Sequence, residues 1–203
     1  MGSPSSTIIE EIDAMRKSGL VSLAFFYCDF REDPKKDRHG LLSSVLVQLC
    51  QQSKAYCDIL SNLYLTHDKG LRQPSDSSLV QCLKDMTQLP GQAPVYLIVD
   101  ALDECPNTDT LPSPREKVLL LVKELIESKI PNLYICVSSR PETDIGAVLE
   151  TLTSCSISLH DERGQMEDIN NYIKSVVNSS MKRLKAEDKQ LIVDVLTKNA
   201  NGM

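Results

Sequence analysis

Short, unbroken apolar runs alternate with amphipathic stretches along this chain. Three runs are rich in β-branched or aromatic residues and are followed by polar residues: 20–28, 95–99 and 133–137, with a weaker run at 155–159. They lack the apolar–polar alternation of a half-exposed strand, and this predicts strands buried on both faces, as in parallel sheets covered by helices. We therefore predict an α/β fold, a three-layer parallel sheet of four strands with flanking helices.

Helical periodicity separates these runs. The first amphipathic stretch covers residues 6–18, and Gly19 follows at the position where a helix C-terminus favours a left-handed residue. Ser113 and Glu116, with proline between them, form the pattern of an N-terminal capping box. The same periodicity marks residues 41–50, 55–65, 77–89, 118–126, 145–152, 169–177 and 191–196.

Composition describes an ordinary soluble protein. The 203 residues are 41% hydrophobic and 25% charged, with a formal net charge of -6. An acidic balance argues against general affinity for nucleic acid or anionic membranes. No apolar run approaches the roughly 20 residues that cross a bilayer, and the first residues do not form a secretory signal. We expect neither a nucleic-acid nor a membrane partner.

The cysteines favour a reducing compartment. There are seven, an odd number without any Cys-x-x-Cys spacing, and several lie inside apolar runs as small buried hydrophobes. The three histidines are isolated from one another and from cysteine at ligand spacing, so a zinc-type site is not indicated. We predict a cytoplasmic protein with free thiols.

Polar side chains follow two of the predicted strands. The strand predicted at 95–99 is followed by Asp100, Asp103 and Glu104. The strand predicted at 133–137 is followed by the string Ser-Ser-Arg-Pro at 138–141. Ligands of parallel α/β sheets bind beyond the carboxyl ends of the strands. Carboxylates there can hold Mg²⁺ and orient a water molecule, and an arginine can neutralise charge on a phosphoryl group. The alternative is structural: an aspartate that caps the next helix beside a solvated acidic loop.

Four segments together resemble a known family. The string Tyr-Leu-Ile-Val-Asp-Ala-Leu-Asp-Glu-Cys at 96–105 resembles the Walker B segment of NACHT-type signalling NTPases, in particular the fungal nephrocystin-like branch. Residues 138–142 resemble the segment after that family's sensor strand. Residues 23–30 resemble its second strand, and residues 41–51 the helix after it. The likeness covers nearly the whole chain.

The resemblance implies a role for each polar residue at the strand ends. Asp100 would hold magnesium, and Asp103 or Glu104 would position the attacking water. Ser139 and Arg140 would contact the bound nucleotide, with Arg140 at its terminal phosphate. The implied cofactor is Mg-ATP or Mg-GTP. Such proteins are multidomain switches in which nucleotide binding and hydrolysis control oligomerisation.

One essential part of such a site is missing from the 203 residues. A P-loop requires Gly-x-x-x-x-Gly-Lys-Ser/Thr, and none of the eight glycines is followed by lysine. The resemblance places residues 6–12 in the helix after that loop, so we expect the first strand and the P-loop to lie upstream of Met1. Residues 1–160 would then be a partial NACHT core and 161–203 a truncated helical extension. We predict that this chain alone neither binds nucleotide tightly nor hydrolyses it.

The expected loss of a strand has a structural consequence. In the family, that strand lies between the one formed here by residues 133–137 and the last strand, so its absence leaves an apolar slot or two unpaired edges. Exposed edges invite self-association or pairing with other chains. A second reading is therefore a non-catalytic interaction module that pairs with full-length relatives. A third is an unrelated α/β binding domain with a coincidental acidic loop.

Overall fold

The computed structural model describes residues 4–29, 31, 37–158, 163–181 and 184–199. The chain forms two compact units, Met1–Leu152 and Thr153–Met203. The sheet lies in the first unit and a helical pair forms the second. The functional assignment of residues 1–160 and 161–203 stays a prediction.

Helices and strands follow the order that periodicity predicts. The first unit contains α1 (Pro4–Lys17), β1 (Ser22–Tyr27), α2 (Arg38–Cys50), α3 (Lys54–Thr66), α4 (Asp76–Thr87), β2 (Val95–Asp100), α5 (Pro114–Glu127), β3 (Leu133–Val137) and α6 (Thr143–Leu149). The second unit contains α7 (Arg163–Ser180) and α8 (Ala186–Asn199). Single 3₁₀ turns form at Asp68–Gly70 and Leu102–Glu104.

The three strands form one parallel sheet in the order β1-β2-β3. The register places Tyr27 of β1 beside Asp100 of β2, and Val99 of β2 beside Val137 of β3. The carboxyl ends of all three strands therefore meet at one edge of the sheet. This confirms the predicted α/β class with a parallel sheet.

The two faces of the sheet are buried to different extents. One face, which includes Ala24, Phe26 and Leu97, packs into the main core with helices α2 to α5. On the other face α1 contacts β1 and β2. Here Leu23 is buried, whereas Tyr134 of β3 is 52% exposed. β3 is therefore a half-covered edge strand.

Two glutamines, Gln48 of α2 and Gln52 in the turn after it, close the outer edge of β1. Phe25 N–H donates to Gln48 Oε1 (3.0 Å), and Gln48 Nε2 donates to the Phe25 carbonyl (2.8 Å). Leu23 N–H donates to Gln52 Oε1 (2.9 Å), and Gln52 Nε2 donates to the Leu23 carbonyl (2.6 Å). Gln52 follows Gln48 by four residues, and the two amides together replace a neighbouring strand.

Local signals at helix ends are confirmed. Ser113 Oγ accepts from Glu116 N–H (3.2 Å) and Glu116 Oε2 accepts from Ser113 N–H (2.7 Å), which is a complete capping box. Gly19 has a φ of +73°, the left-handed conformation expected after α1. Within the described ranges no helix combines the length and apolar character that a membrane span requires.

Two expectations are wrong. Residues 155–158 form no strand, and Ile157 is 71% exposed; residue 159 lies outside the described residues. An extended segment becomes a strand only when a neighbour supplies hydrogen bonds, and β1, β2 and β3 are the strands of the part of the chain that the structure describes. The run 133–137 is not buried on both faces, because it forms the edge of the sheet.

Candidate functional site at the carboxyl ends of β2 and β3

The ends of β2 and β3 are joined through Ser138. Its hydroxyl donates a hydrogen bond to the Asp100 carboxylate and accepts one from Ala101 N–H (3.1 Å). The Ser138 N–H donates to the Val99 carbonyl (2.9 Å), and the Ser138 carbonyl accepts from Leu102 N–H (3.0 Å). Asp100 is thus held at the sheet rim by the neighbouring strand end, as sequence reasoning places it.

The chain turns sharply after Asp100. Ala101 adopts the left-handed conformation (φ 55°, ψ 48°), which costs a residue with a Cβ roughly 1–2 kcal/mol. The turn directs the chain into the 3₁₀ turn Leu102–Glu104, where Leu102 is fully buried. This buried anchor holds the two following acidic residues close to the strand end.

Asp103 and Arg140 contact each other. The Asp103 carboxylate accepts from Arg140 N–H (3.0 Å) and lies 3.5 Å from Arg140 Nε. The Asp103 side chain is 11% exposed, whereas that of Arg140 is 81% exposed. Asp103 therefore holds the base of the Arg140 segment while the guanidinium remains accessible to an anion.

The other two predicted residues are less engaged. Within the described part of the chain the Glu104 carboxylate, which is partly buried, has no hydrogen-bond or ion-pair partner. Ser139 is exposed, and its hydroxyl donates to the Arg140 carbonyl (2.9 Å). The serine that contacts Asp100 is Ser138. Of the five predicted site residues, the structure brings Asp100, Asp103 and Arg140 to the joined strand ends.

Sequence reasoning missed Arg115. Its guanidinium donates to the main-chain carbonyls of Asp103 and Cys105 (3.0 Å to the latter) and lies 3.3 Å from the Asp144 carboxylate. The Arg115 side chain is only 11% exposed. It therefore fixes the acidic turn to the first turn of α6. Most of its partners are main-chain atoms, which no residue pattern reveals.

Charge and burial also affect neighbouring titratable groups. Burial, and secondarily the Asp100 charge, raise the pKa of Tyr27, which lies beside Asp100 in the register. Hydrogen bonding to Cys105, together with burial, raises the pKa of the Cys28 thiol. Both groups therefore stay protonated near neutral pH.

The donor set suits a hard cation with few protein ligands. Among the described residues, no group of three His, Cys, Asp or Glu side chains could hold a metal ion. Mg²⁺ is commonly bound by one or two carboxylates, with water and phosphate oxygens as the remaining ligands. The Asp100 carboxylate and the Ser138 hydroxyl supply oxygen donors of this kind.

A parallel sheet with helices on both faces, and with acidic and basic groups at the carboxyl ends of adjacent strands, defines a protein of the α/β P-loop NTPase-like class. Residues 4–140 match the family described as Nephrocystin 3, N-terminal, and the chain belongs to this family. This confirms the resemblance to nephrocystin-like, NACHT-related fungal domains seen in the sequence.

One relative extends the match beyond residue 140. The chain is 29% identical over 202 residues to the vegetative incompatibility protein HET-E-1 of Podospora anserina. The match covers 96% of this chain and 14% of that protein, so the chain spans about one seventh of its relative's length. No solved structure matches the chain.

Proposed function

We propose that the chain forms the magnesium-binding and phosphate-sensing part of an NTP-dependent signalling switch. In this proposal β2 is the Walker B strand, and Asp100 is the magnesium ligand of Mg-ATP or Mg-GTP. The observation that supports it best is the joining of adjacent parallel strand ends, where Ser138 holds Asp100 and Asp103 holds Arg140. The proposed compartment is the cytoplasm.

The geometry favours different roles for the two acidic residues after Asp100. Asp103 is nearly buried and bonded to Arg140, so it is suited to positioning that arginine. Glu104 has no such bond and can accept a hydrogen bond from water. We therefore assign water positioning to Glu104, and contact with the terminal phosphate to Arg140. The magnesium ion would supply charge neutralisation at the phosphates when bound.

These residues alone should bind Mg-nucleotide only weakly and should not hydrolyse it measurably. The 203 residues contain no Gly-x-x-x-x-Gly-Lys string, and so no backbone cradle or lysine for the β- and γ-phosphates. Tight binding of labelled ATP with Mg²⁺ that is lost in Asp100→Ala would overturn this part of the proposal.

The cation role of Asp100 can be tested even when binding is weak. Mn²⁺, a paramagnetic substitute for Mg²⁺, should broaden the amide NMR signals of Ala101 and Ser138 at concentrations that leave α3 unaffected. Asp100→Asn should remove this local broadening. Asp58→Asn, the same change at an exposed carboxylate of α3, should preserve it. Equal broadening in the unmodified chain and Asp100→Asn would refute the cation role.

A second candidate function is a non-catalytic interaction module that pairs with other chains. The observation that favours it is the half-covered edge strand β3, whose Tyr134 side chain is 52% exposed in the middle of an apolar strand. Natural sheets normally protect such an edge.

A further inference from the structure

The corner between α2 and α3 brings two cysteines together. Cys50 is the last residue of α2, and Cys57 lies in the first turn of α3. The Cys57 N–H donates to the Ser53 carbonyl (3.0 Å), and α3 packs against α2. The thiols of Cys50 and Cys57 are hydrogen-bonded to each other. This contact between thiols of two different helices depends on the reversal of the chain at the corner.

Access to solvent distinguishes this pair from another pair of thiols that touch. The Cys28 and Cys105 thiols are also hydrogen-bonded to each other, but these residues are only 3% and 0% exposed. Cys57 is exposed and Cys50 is half-buried. Burial, and secondarily the hydrogen bond to Cys57, raise the pKa of the Cys50 thiol, which therefore stays protonated near neutral pH. Cys57 is thus the thiol that an oxidant in solution reaches, and a protonated thiol lies beside it.

The residues between the two cysteines hold the sheet. Gln52 accepts from Leu23 N–H and donates to the Leu23 carbonyl, which closes that part of the β1 edge. Ser53 Oγ donates to Gln92 Oε1 (2.9 Å) in the segment that leads into β2. A covalent link between the two thiols would enclose both of these anchors. The oxidation state of the thiols therefore affects how firmly the corner is held against β1.

We propose that Cys50 and Cys57 form a reversible redox site, in which hydrogen peroxide oxidises Cys57 and Cys50 then closes a disulfide across the corner. In the first step the Cys57 thiolate attacks one peroxide oxygen and gives up two electrons as the O–O bond breaks. This leaves a sulfenic acid and hydroxide, which takes up the proton that the thiol lost. In the second step the Cys50 sulfur attacks the Cys57 sulfur, the S–O bond breaks, and hydroxide leaves with the Cys50 proton as water. Two thiols and one peroxide thus give one disulfide and two water molecules.

This chemistry is compatible with the proposed cytoplasmic compartment. Disulfides of cytosolic proteins are usually transient and respond to oxidants. A dithiol reductant reverses the reaction by thiol–disulfide exchange, because the Cys57 sulfur can be attacked from the solvent. The disulfide restricts the unfolded chain over residues 50–57 and holds Gln52 against β1, so oxidation should stabilise the first unit. The inference does not depend on the proposed cation site.

Peptide mapping after peroxide treatment tests the link. Trypsin cleaves after Lys54, between the two cysteines, so the disulfide joins the peptides 39–54 and 55–69, each of which holds one cysteine. We expect these peptides to cross-link, and a dithiol to separate them, at peroxide exposures that leave the buried thiol pair reduced. Sulfinic acid at Cys57 without the cross-link would overturn the proposal, because the sulfur atoms then do not reach the roughly 2.05 Å of a disulfide.

Variants test the order of the two steps. In Cys50→Ser, dimedone, a diketone that traps sulfenic acid, should label Cys57, because no second thiol consumes the intermediate. In Cys57→Ser, Cys50 should stay unlabelled at the same exposure. Cys155→Ser is the matched control, because it removes an exposed cysteine outside the pair and should leave the cross-link unchanged. Labelling of Cys50 in Cys57→Ser that is as rapid as labelling of Cys57 in Cys50→Ser would contradict the proposed order.

Hydrogen exchange and thermal melting test the effect on β1. Oxidation of the unmodified chain should slow exchange of the Leu23 amide, because the disulfide holds Gln52 in place. It should also raise the melting temperature by roughly 5 °C. Cys57→Ser treated with the same peroxide should show neither change. Unaltered Leu23 exchange in a chain whose two peptides are cross-linked would refute the effect of oxidation on the β1 edge.

Discussion

Replacing Gln52 with methionine removes both hydrogen bonds between this side chain and the main chain of Leu23. Gln52 accepts from Leu23 N–H at 2.9 Å and donates to its carbonyl at 2.6 Å. Methionine has a similar length and volume, so packing changes little. Leu23 is only 3% exposed, and both of its outward main-chain groups lose their partner at the edge of β1.

The expected cost follows from these two groups. A buried donor or acceptor left unsatisfied costs about 1–3 kcal/mol. Water can reach this edge in part, because Gln52 itself is half-buried. We therefore expect Gln52→Met to lower the free energy of unfolding by about 2–4 kcal/mol, a large part of the roughly 5–15 kcal/mol of a typical domain.

Urea unfolding followed by far-UV circular dichroism measures this change, since the chain has no tryptophan. Hydrogen exchange of the peptide 20–28 should show faster exchange of the Leu23 amide. Gln51→Met is the matched control, because Gln51 is exposed and is the adjacent residue in the chain. Its effect should stay within about 0.5 kcal/mol. If both variants lose the same stability, the glutamines do not close the edge of β1.

Two further predictions concern charged groups. Arg115→Met leaves two carbonyls of the acidic turn and Asp144 without their partner, so the free energy of unfolding in urea should fall by about 2–4 kcal/mol; an unchanged value would contradict the anchoring role. Burial raises the pKa of Glu124, but Lys84 and Arg38 lower it by more than burial raises it, so the net shift of the pKa is downward. Its stabilisation should be complete above about pH 4.5 and lost as pH falls through the lowered folded-state pKa. In the unmodified chain the urea midpoint should fall as the pH falls through this pKa, and in Glu124→Gln this contribution to the fall should be absent. The same dependence on pH in both proteins would contradict a stabilising role of the ionised Glu124.

Sequence reasoning located the strand ends because their signals are local. An apolar run followed by Asp100 fixes the end of β2, and the Ser113 capping box fixes the start of α5. Parallel strands bring their carboxyl ends to one edge, so the meeting of Asp103 with Arg140 also follows from the sequence. Contact between these two residues also requires β2 and β3 to be neighbours, as they are in the observed strand order.

Features that depend on distant neighbours were not predictable. Gln52 lies 29 residues from Leu23 in the chain, and its partners are main-chain atoms. The apolar run of β3 is itself compatible with either a central or an edge strand, and only the family resemblance indicated that its edge would be unpaired. The segment 155–158 has strand-like residues, but strand formation depends on a neighbour.

The edge of β1 and the carboxyl end of β2 differ in the conformational and hydrogen-bonding costs that they carry. At the edge of β1, Gln48 and Gln52 satisfy the outward main-chain groups of two residues. At the end of β2, Ala101 holds a left-handed conformation. The carboxylate of Glu104, three residues later, has no hydrogen-bond or ion-pair partner among the described residues. Sequences generally tolerate such local costs where function requires a particular geometry. The left-handed Ala101 and the Glu104 carboxylate both lie at the edge of the sheet where Ser138 is bonded to Asp100. This is the edge at which the family resemblance places the magnesium and nucleotide site.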